Sequence, residues 1–465
     1  MNLDKLVLEY QVLTQKYQPA YGLKTDSAPD RATEDRLGEI LSLTQKLSGK
    51  LDRPLRILDL GAAQGYVTLS LAAKGHHVTA VEKFLDNSIF IDHLSRFHNL
   101  THNVEVKRMD LVDFMQSREV QFDVILCLSV IHHIKYFYGE DASNFVNNWI
   151  SRNSKLAIYE VAVREENYAF WHKSLEESIW KDLPRYRFVS EIGCYKTHLG
   201  EVSRPLLVLS NYYHIVENQI CPLEEFSFPE RAFVQGGERK SLNRRTFIRN
   251  NYLHKIELRE NIRGKVKLKE NLDLENMYFL ANNRSESEII QDGTYVFEAK
   301  RKLIVGERLD LIKIHIDKER LIGSLVKASL ALRNSNIFHN DFRPWNLIWD
   351  GGQFSFIDLE FASSKDMDII GLPFDLCLII NIQCIMNDSV ADFDWEPRSI
   401  RKYLGSKSEI YYVIDLLRKN SYPLTTASFR KLKTKYFMTK LKFIIGRQFR
   451  QLNFSGRKYR LKKIE

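Results

Sequence analysis

Five short β-branched runs, RILDLG, HVTAVE, VEVKRMD, FDVILCLSV and KLAIYEVAV, succeed one another between Arg56 and Val163. Stretches with helical periodicity lie between them, GYVTLSLAAKG and SIFIDHLSRFHN among them. Parallel strands can be joined only by long crossovers, so this alternation predicts a parallel sheet covered by helices on both faces. Two later runs, YRFVSEIGCYKTH and PLLVLSN, have no long helix between them and read as an antiparallel pair that closes the sheet. The first domain then ends near residue 215. Before it, TEDRLGEILSLTQKL places Leu37, Ile40, Leu41, Leu43 and Leu47 on one side of a helix.

The first run ends in Asp59 and leads into Gly61-Ala-Ala-Gln-Gly65. Glycines at a strand-to-helix turn let backbone N–H groups approach a ligand closely. A dinucleotide site would carry GxGxxG there; here an acid lines the turn, which suits a ligand with a cationic ammonium. Glu82 ends the second run, placed to accept both hydroxyls of a ribose. Asp110 ends the third, within reach of an exocyclic amine of adenine. Three acids at successive strand ends, with no phosphate cradle, match S-adenosylmethionine better than NAD. Beyond the fourth run, LSVIHHI supplies His132 and His133, which either orient or deprotonate an acceptor or form a packed helix start. Glu160, ending the fifth run, reads as a partner for a nearby arginine.

A second constellation occupies FHNDFRPWNLIWDGGQFSFIDLEF. His339, Asp341 and Asn346 fit HxDxxxxN, and Asp358 follows on a short strand. Phosphoryl transfer from ATP needs a carboxylate to accept the hydroxyl proton (Asp341). It also needs an amide oxygen and a second carboxylate to hold Mg²⁺ (Asn346 and Asp358). His339 reads as a brace. Upstream, NYLHKIEL offers Lys255 on a strand for the phosphates, and QGGERKSLNRRTF offers a covering loop with Gly236 and Gly237. LDLENMYFL offers Glu275 to pair with Lys255, and the chain is expected to meet the adenine near Phe297 and Glu298. Arg343 has two readings, neutralising the transferred phosphate or forming an ion pair with a neighbouring acid.

The chain has 465 residues and a net charge of +9, yet residues 430–465 hold thirteen Lys or Arg and one acid. That tail contributes +12 and leaves the remainder at −3, which argues against a nucleic-acid-binding body. The tail interleaves its cations with apolar residues at helical spacing, which suits an anionic membrane surface or a last packed helix. Five scattered cysteines with no CxxC pair argue against disulfides and zinc. The opening residues carry no basic-then-apolar leader, which predicts a cytoplasmic protein, peripheral at the inner face of the membrane if the tail docks there. The apolar stretch 369–386 is interrupted by Pro373, Asp375, Asn381 and Gln383 and reads as a buried helix.

These motifs carry a resemblance. Residues 55–211 resemble a Rossmann-like seven-stranded S-adenosylmethionine-dependent methyltransferase, with Ala63 where a middle Gly is usual. The HxDxxxxN loop resembles the protein-kinase-like α+β fold, with DLE for the usual DFG. Together with THLGEVSRPLLVLSN, NRRTF and DRATEDRL, they resemble the bifunctional kinase–methyltransferases that terminate bacterial O-antigen polysaccharides. The resemblance implies a kinase that phosphorylates a terminal sugar of a lipid-linked glycan, and a methyltransferase that caps that phosphate. It implies S-adenosylmethionine, ATP and Mg²⁺ as cofactors and a glycosyltransferase or polymerase as partner. By the same resemblance Tyr17, Arg31, Arg36 and His132 fall in regions for the phosphorylated sugar, with His133 and Arg343 beside the chemistry. The organisation expected is a helical cap (1–50), methyltransferase (51–215), linker (216–229), kinase-like domain (230–430) and basic tail (431–465). Two alternatives use the same folds: a small-molecule sugar acceptor, or a kinase-like half that binds ATP without turnover.

Overall fold

The computed structural model describes residues 2–434 apart from 26–27, 32, 118–119, 198–201, 229–243, 260–271, 280–286, 313–315, 358, 360–361, 367–371, 391–394, 396–399, 401–403 and 405–406. The chain divides into two compact units, Met1–Lys265 with Glu288–Arg301 and Val266–Ser287 with Lys302–Glu465.

The first unit begins with helices α1 (Leu3–Val12) and α2 (Glu34–Leu51). In α2 the acids Glu34 and Asp35 sit in the first turn and Lys50 in the last, complementing the helix dipole. Its stripe of Leu37, Ile40, Leu43 and Leu47 is buried. Strands β1 (Arg56–Leu60), β2 (His77–Val81), β3 (Val104–Lys107), β4 (Phe122–Leu128) and β5 (Ser154–Glu160) alternate with helices α3 (Tyr66–Ala72), α4 (Leu85–Phe97), α5 (Leu111–Ser117), α6 (Ile131–Tyr138) and α7 (Glu140–Asn153). With β6 (Phe188–Lys196) and β7 (Ser203–Ser210) they form a seven-stranded sheet of order β3-β2-β1-β4-β5-β7-β6. Pairings from β3 through β5 are parallel, while β7 is antiparallel to both β5 and β6. One face packs on Leu37, Ile40, Val67 and Leu71, the other on Phe114, Trp149 and Ile150. Coverage on both faces is why β4 reads as a continuous apolar run from Val124 to Leu128. The strand order reverses at β1, between β2 and β4, and open α/β sheets bind ligands at such a switch point.

The stretch 216–229, expected as a linker, carries secondary structure among its described residues, 216–228. The hairpin of β8 (Tyr213–Val216) and β9 (Gln219–Pro222) runs into it, and Ser227 bridges to Ile248. A four-stranded sheet follows, β10 (Arg244–Arg249), β11 (Tyr252–Leu258), β12 (Glu288–Asp292) and β13 (Val296–Lys302), in the order β10-β11-β13-β12. It shares a core with the larger sheet through Phe247, Ile256, Leu258 and Val296. The Glu191 carboxylate on β6 accepts the backbone N–H groups of Thr294, Tyr295 and Val296 at 2.9, 2.6 and 3.0 Å. Glu298, expected near an adenine, instead lies buried between two imidazoles, His214 at 3.0 Å and His254 at 2.9 Å. Burial favours the neutral acid, but the two histidines outweigh it and hold the Glu298 carboxyl down at about 2.

The second unit contains a helix over 272–279 (α8), α9 (Lys318–Asn334), a small sheet β14 (Glu307–Arg308), β15 (Leu347–Trp349) and β16 (Phe354–Phe356), then α10 (Phe374–Met386) and α11 (Lys407–Lys419). The buried side chains of α10 are packed into this unit's core, as its near-continuous apolar run requires. Among the described residues no helix is long and apolar enough to cross a membrane. None of the five cysteines, all among the described residues, forms a disulfide.

Candidate active sites

At the switch point the C-terminal ends of β1 to β4 open on a cavity of about 460 Å³, a volume within the ordinary range for small-molecule sites. Gly61, Glu82, Phe84, Asp110 and Ser129 line it. Glu82 accepts the backbone N–H groups of Ala63 (2.9 Å) and Phe84 (2.8 Å), which fixes both its oxygens. Burial raises its pKa. Asp110 accepts from the Val112 N–H and from the Tyr138 hydroxyl, each at 2.9 Å. Both carboxylates keep lone pairs toward the cavity, suited to a vicinal diol and an amine.

Asp59 departs from expectation. It is buried behind the glycine turn, outside the cavity lining, where it accepts from the Thr68 hydroxyl at 2.6 Å. Burial pushes its carboxyl up to about 6, because a lone hydroxyl donor offsets little of the lost hydration. Gly65 also stays out of the lining. A Cβ there would stand 2.7 Å from Ile91 Cγ1, and its φ is +76°. The unusual AAQ of this loop has a local reason. Gln64 is fully buried; its Oε1 accepts the Gln18 N–H at 2.8 Å, and its Nε2 donates to the Gln15 carbonyl and the Asn87 amide oxygen at 2.9 Å. The glutamine thus straps residues 15–18 against the cavity mouth, where Gln15 and Tyr17 form part of the wall.

The inner end of the cavity is built on Ser129, a residue with φ +60° at the end of β4. Its hydroxyl donates to Glu160 at 2.5 Å and accepts from Arg31 at 2.8 Å and Arg204 at 2.9 Å. Arg31 also binds Glu160 and donates to the Tyr17 hydroxyl at 2.7 Å. Arg36 reaches Glu160 at 2.7 Å, and Arg204 grips Glu166 with two 2.6 Å bonds. Three buried guanidinium groups meet two buried carboxylates here, and Arg36 is paired as well with the partly exposed Asp35 at 3.0 Å.

Above this cluster sit His132 and Trp171. Neither ring nitrogen of His132 nor the Trp171 Nε1 has a hydrogen-bond partner among the described residues, and the same holds for Arg31 Nε. Burial first, then Arg204, His133 and Arg31, depress the His132 pKa well below its usual value and keep it neutral. Buried polar atoms left unpaired cost about 1–3 kcal/mol each, and such groups on a cavity wall mark where a ligand's polar atoms belong.

Of the residues expected around the acceptor, Tyr17, His132 and His133 line the cavity, while Arg31 and Arg36 stand behind it. Sequence reasoning assigned no role to Arg204, Ser129, Glu166 or Trp171. Arg204 does carry one signal, a charged side chain at the buried start of an otherwise apolar strand.

In the second unit the HxDxxxxN residues come together. His339 is fully buried; its Nε2 lies 2.8 Å from the Ile357 carbonyl and its Nδ1 accepts the Asp341 N–H at 3.3 Å. Asn346 Nδ2 donates to the Asp341 backbone carbonyl and to its carboxylate, each at 2.9 Å. His339 is therefore a brace in geometry. Arg343 is buried and stacked 4.3 Å from the Trp395 ring centroid, with its Nε 3.8 Å from Asp341. The 3.8 Å approach to Asp341 is the ion-pair geometry of the two readings. Lys255 is half-buried on β11 of the first unit and Glu275 is buried on α8 of the second. Asp358, Gly236 and Gly237 lie outside the described residues, as does the tail beyond 434.

Residues 32–145 match a methyltransferase-domain family and residues 299–369 the phosphotransferase enzyme family. The O-antigen chain terminator bifunctional methyltransferase/kinase WbdD of Escherichia coli is 27% identical over 380 residues, covering 78% of this chain and 52% of that one. This chain thus spans about half the length of the curated relatives it matches over most of its length. A ribosomal RNA small subunit methyltransferase J from Francisella philomiragia is 27% identical over 143 residues, 25% of this chain and 59% of that one. Solved WbdD structures share the fold, one with a TM-score of 0.64 at 21% identity over 99% of each chain. Another has a TM-score of 0.63 at 20% identity over 95% of this chain and 100% of that one. Domains of these two kinds use S-adenosylmethionine, and ATP with Mg²⁺. The chain is a homologue of the bifunctional methyltransferase/kinase WbdD, a methyltransferase domain followed by a kinase-like phosphotransferase domain.

Proposed function

We propose that the protein phosphorylates the terminal sugar of a growing cell-envelope glycan with ATP and then methylates that phosphate with S-adenosylmethionine, which closes the chain to extension. The observation that carries this reading is the donor-rich inner end of the methyl-donor cavity, where Arg204 and Ser129 line the same space as His132 and Trp171, whose nitrogens have no partner among the described residues. A phosphate monoester is already anionic near neutral pH. It needs donors and a positive field rather than a base, which a neutral His132 near Arg204 and Arg31 supplies.

In this reading Glu82 and Asp110 hold the adenosine of the methyl donor, and Gly61 gives it room. Tyr17, Arg204, His132 and His133 orient the phosphate. One phosphate oxygen forms a bond to the methyl carbon as the carbon–sulfur bond breaks and its electron pair stays on sulfur. In the other domain Asp341 accepts the proton of the sugar hydroxyl. Asn346 and Asp358 are assigned to Mg²⁺. Mg²⁺ supplies charge neutralisation to the transferred phosphoryl group.

A lipid-linked acceptor, a glycosyltransferase partner and peripheral attachment at the inner face of the membrane through residues 430–465 belong to the same proposal. Liposome binding that survives deletion of Arg430–Glu465 overturns the attachment. The central test is mass spectrometry of an oligosaccharide incubated with the protein, Mg²⁺-ATP and S-adenosylmethionine. A product carrying phosphate plus methyl is expected, absent without ATP and with Asp341→Asn. Methylation of unphosphorylated glycan without ATP overturns the order of steps.

A further inference from the structure

The donor cavity does not end at Trp171. Outward from it runs a chain of rings. Trp171 lies 4.6 Å from Phe170, Phe170 lies 5.0 Å from Tyr136 and 6.0 Å from Phe137, and Phe137 stacks on His133 at 6.4 Å and 14°. The inner member is buried while the outer three are open, Tyr136 at 45%, Phe170 at 55% and Phe137 at 61% exposure. Phe137 and Phe170 belong both to the cavity wall and to the surface. Three adjoining open rings exceed the scattered exposed hydrophobics normal on a protein surface, and such patches mark recognition sites.

We infer that Tyr136, Phe137 and Phe170 form a platform for pyranose rings of the acceptor, holding the sugar units next to the one that bears the phosphate. The inference rests on the methylation reading above. The occupant follows from continuity with the cavity. An acceptor whose phosphate reaches the Arg204 and Ser129 end has a way out past Phe137 and Phe170, which belong both to the cavity wall and to the surface. Pyranose rings present a face of C–H groups whose partial positive charge matches the negative face of an aromatic ring, while their hydroxyls stay in water. A mixed Phe and Tyr surface serves that double demand. The arginine cluster is blind to how many sugars follow the phosphate; the platform reads them.

The test compares methyl transfer to a phosphorylated monosaccharide and to a phosphorylated trisaccharide, both made chemically so that the kinase is not involved. The full chain is compared with a Phe170→Ala/Tyr136→Ala double variant and with Phe170→Trp. Wild type is expected to favour the trisaccharide at least tenfold in KM, the double variant to lose that preference, and Phe170→Trp to keep it. No preference in wild type, or a preference that survives in the double variant, overturns the platform and leaves the phosphate reading standing. Methylation of neither compound by wild type overturns both. A variant that instead changes oligomeric state or liposome binding, with the length preference intact, reassigns the rings to a second copy of the chain or to a membrane.

Discussion

In the catalytic loop of the second unit, His339 and Asn346 spend their hydrogen bonds on the loop itself, whereas at the inner end of the donor cavity His132 and Trp171 present polar atoms with no partner among the described residues. The loop is finished by folding: Asp341 is held in place whatever is bound. The cavity is left incomplete, and the free energy its unpaired groups forgo on folding is recovered when a ligand pairs with them. Arg31, Arg36, Arg204, Glu160 and Glu166 supply the rigid frame for that incompleteness.

The comparison breaks most sharply at Asp341. Asp341→Asn is expected to lower phosphoryl transfer by roughly 10³–10⁴-fold and to leave methylation of a chemically phosphorylated acceptor unchanged, measured by two separate isotope-transfer assays. Equal loss in both would join the two sites functionally. Next in size, Arg204→Ala strands Glu166 as a buried, unpaired carboxylate, and urea denaturation should show a loss of about 3–5 kcal/mol.

Two buried carboxylates of the first unit sharpen the comparison through pH. Asp59 is raised from 3.8 to about 6, so its contribution is fully present below about pH 4 and lost as pH rises through about 6. Glu298 is lowered from 4.5 to about 2, so its contribution is present above about pH 4.5 and lost as pH falls through about 2. Each shift corresponds to ~3 kcal/mol. Asp59→Asn should flatten the stability profile between pH 4 and 6, and Glu298→Gln the limb between pH 4.5 and 2, both read by denaturation midpoints. The smallest effects carry opposite signs. His339→Leu should cost about 1–3 kcal/mol by stripping bonded backbone groups, while His132→Leu should be neutral or stabilising by ~1 kcal/mol yet lower methyl transfer. Thermal midpoints of the two variants test this directly.

Much of this was legible before folding was considered. The strand and helix alternation from Arg56 onward gave the seven-stranded sheet, including the antiparallel closing pair, because both periodicities are local properties. HxDxxxxN was readable because its residues lie within eight positions and their geometry follows from one tight loop. Glu82 and Asp110, read from the sequence as strand-end acids, follow β2 and β3 and line the cavity. Asp59 stays outside the lining, since whether a carboxylate at a strand end faces a cavity or a hydroxyl such as Thr68 depends on the helix packed against it. The stretch 216–229 looked like a connector because short hairpins with few β-branched residues carry a weak pattern.

What the sequence determined by itself was therefore the order and type of the two domains and the residues whose roles follow from spacing along the chain. Tertiary structure alone decided the inner end of the cavity. Arg31, Ser129, Glu160, Glu166 and Arg204 come from separate stretches, and no periodicity relates them. A hydrogen bond of under 3 Å between such residues exists only after the sheet has set their distances, because electrostatic pairing is short-ranged and indifferent to separation in sequence.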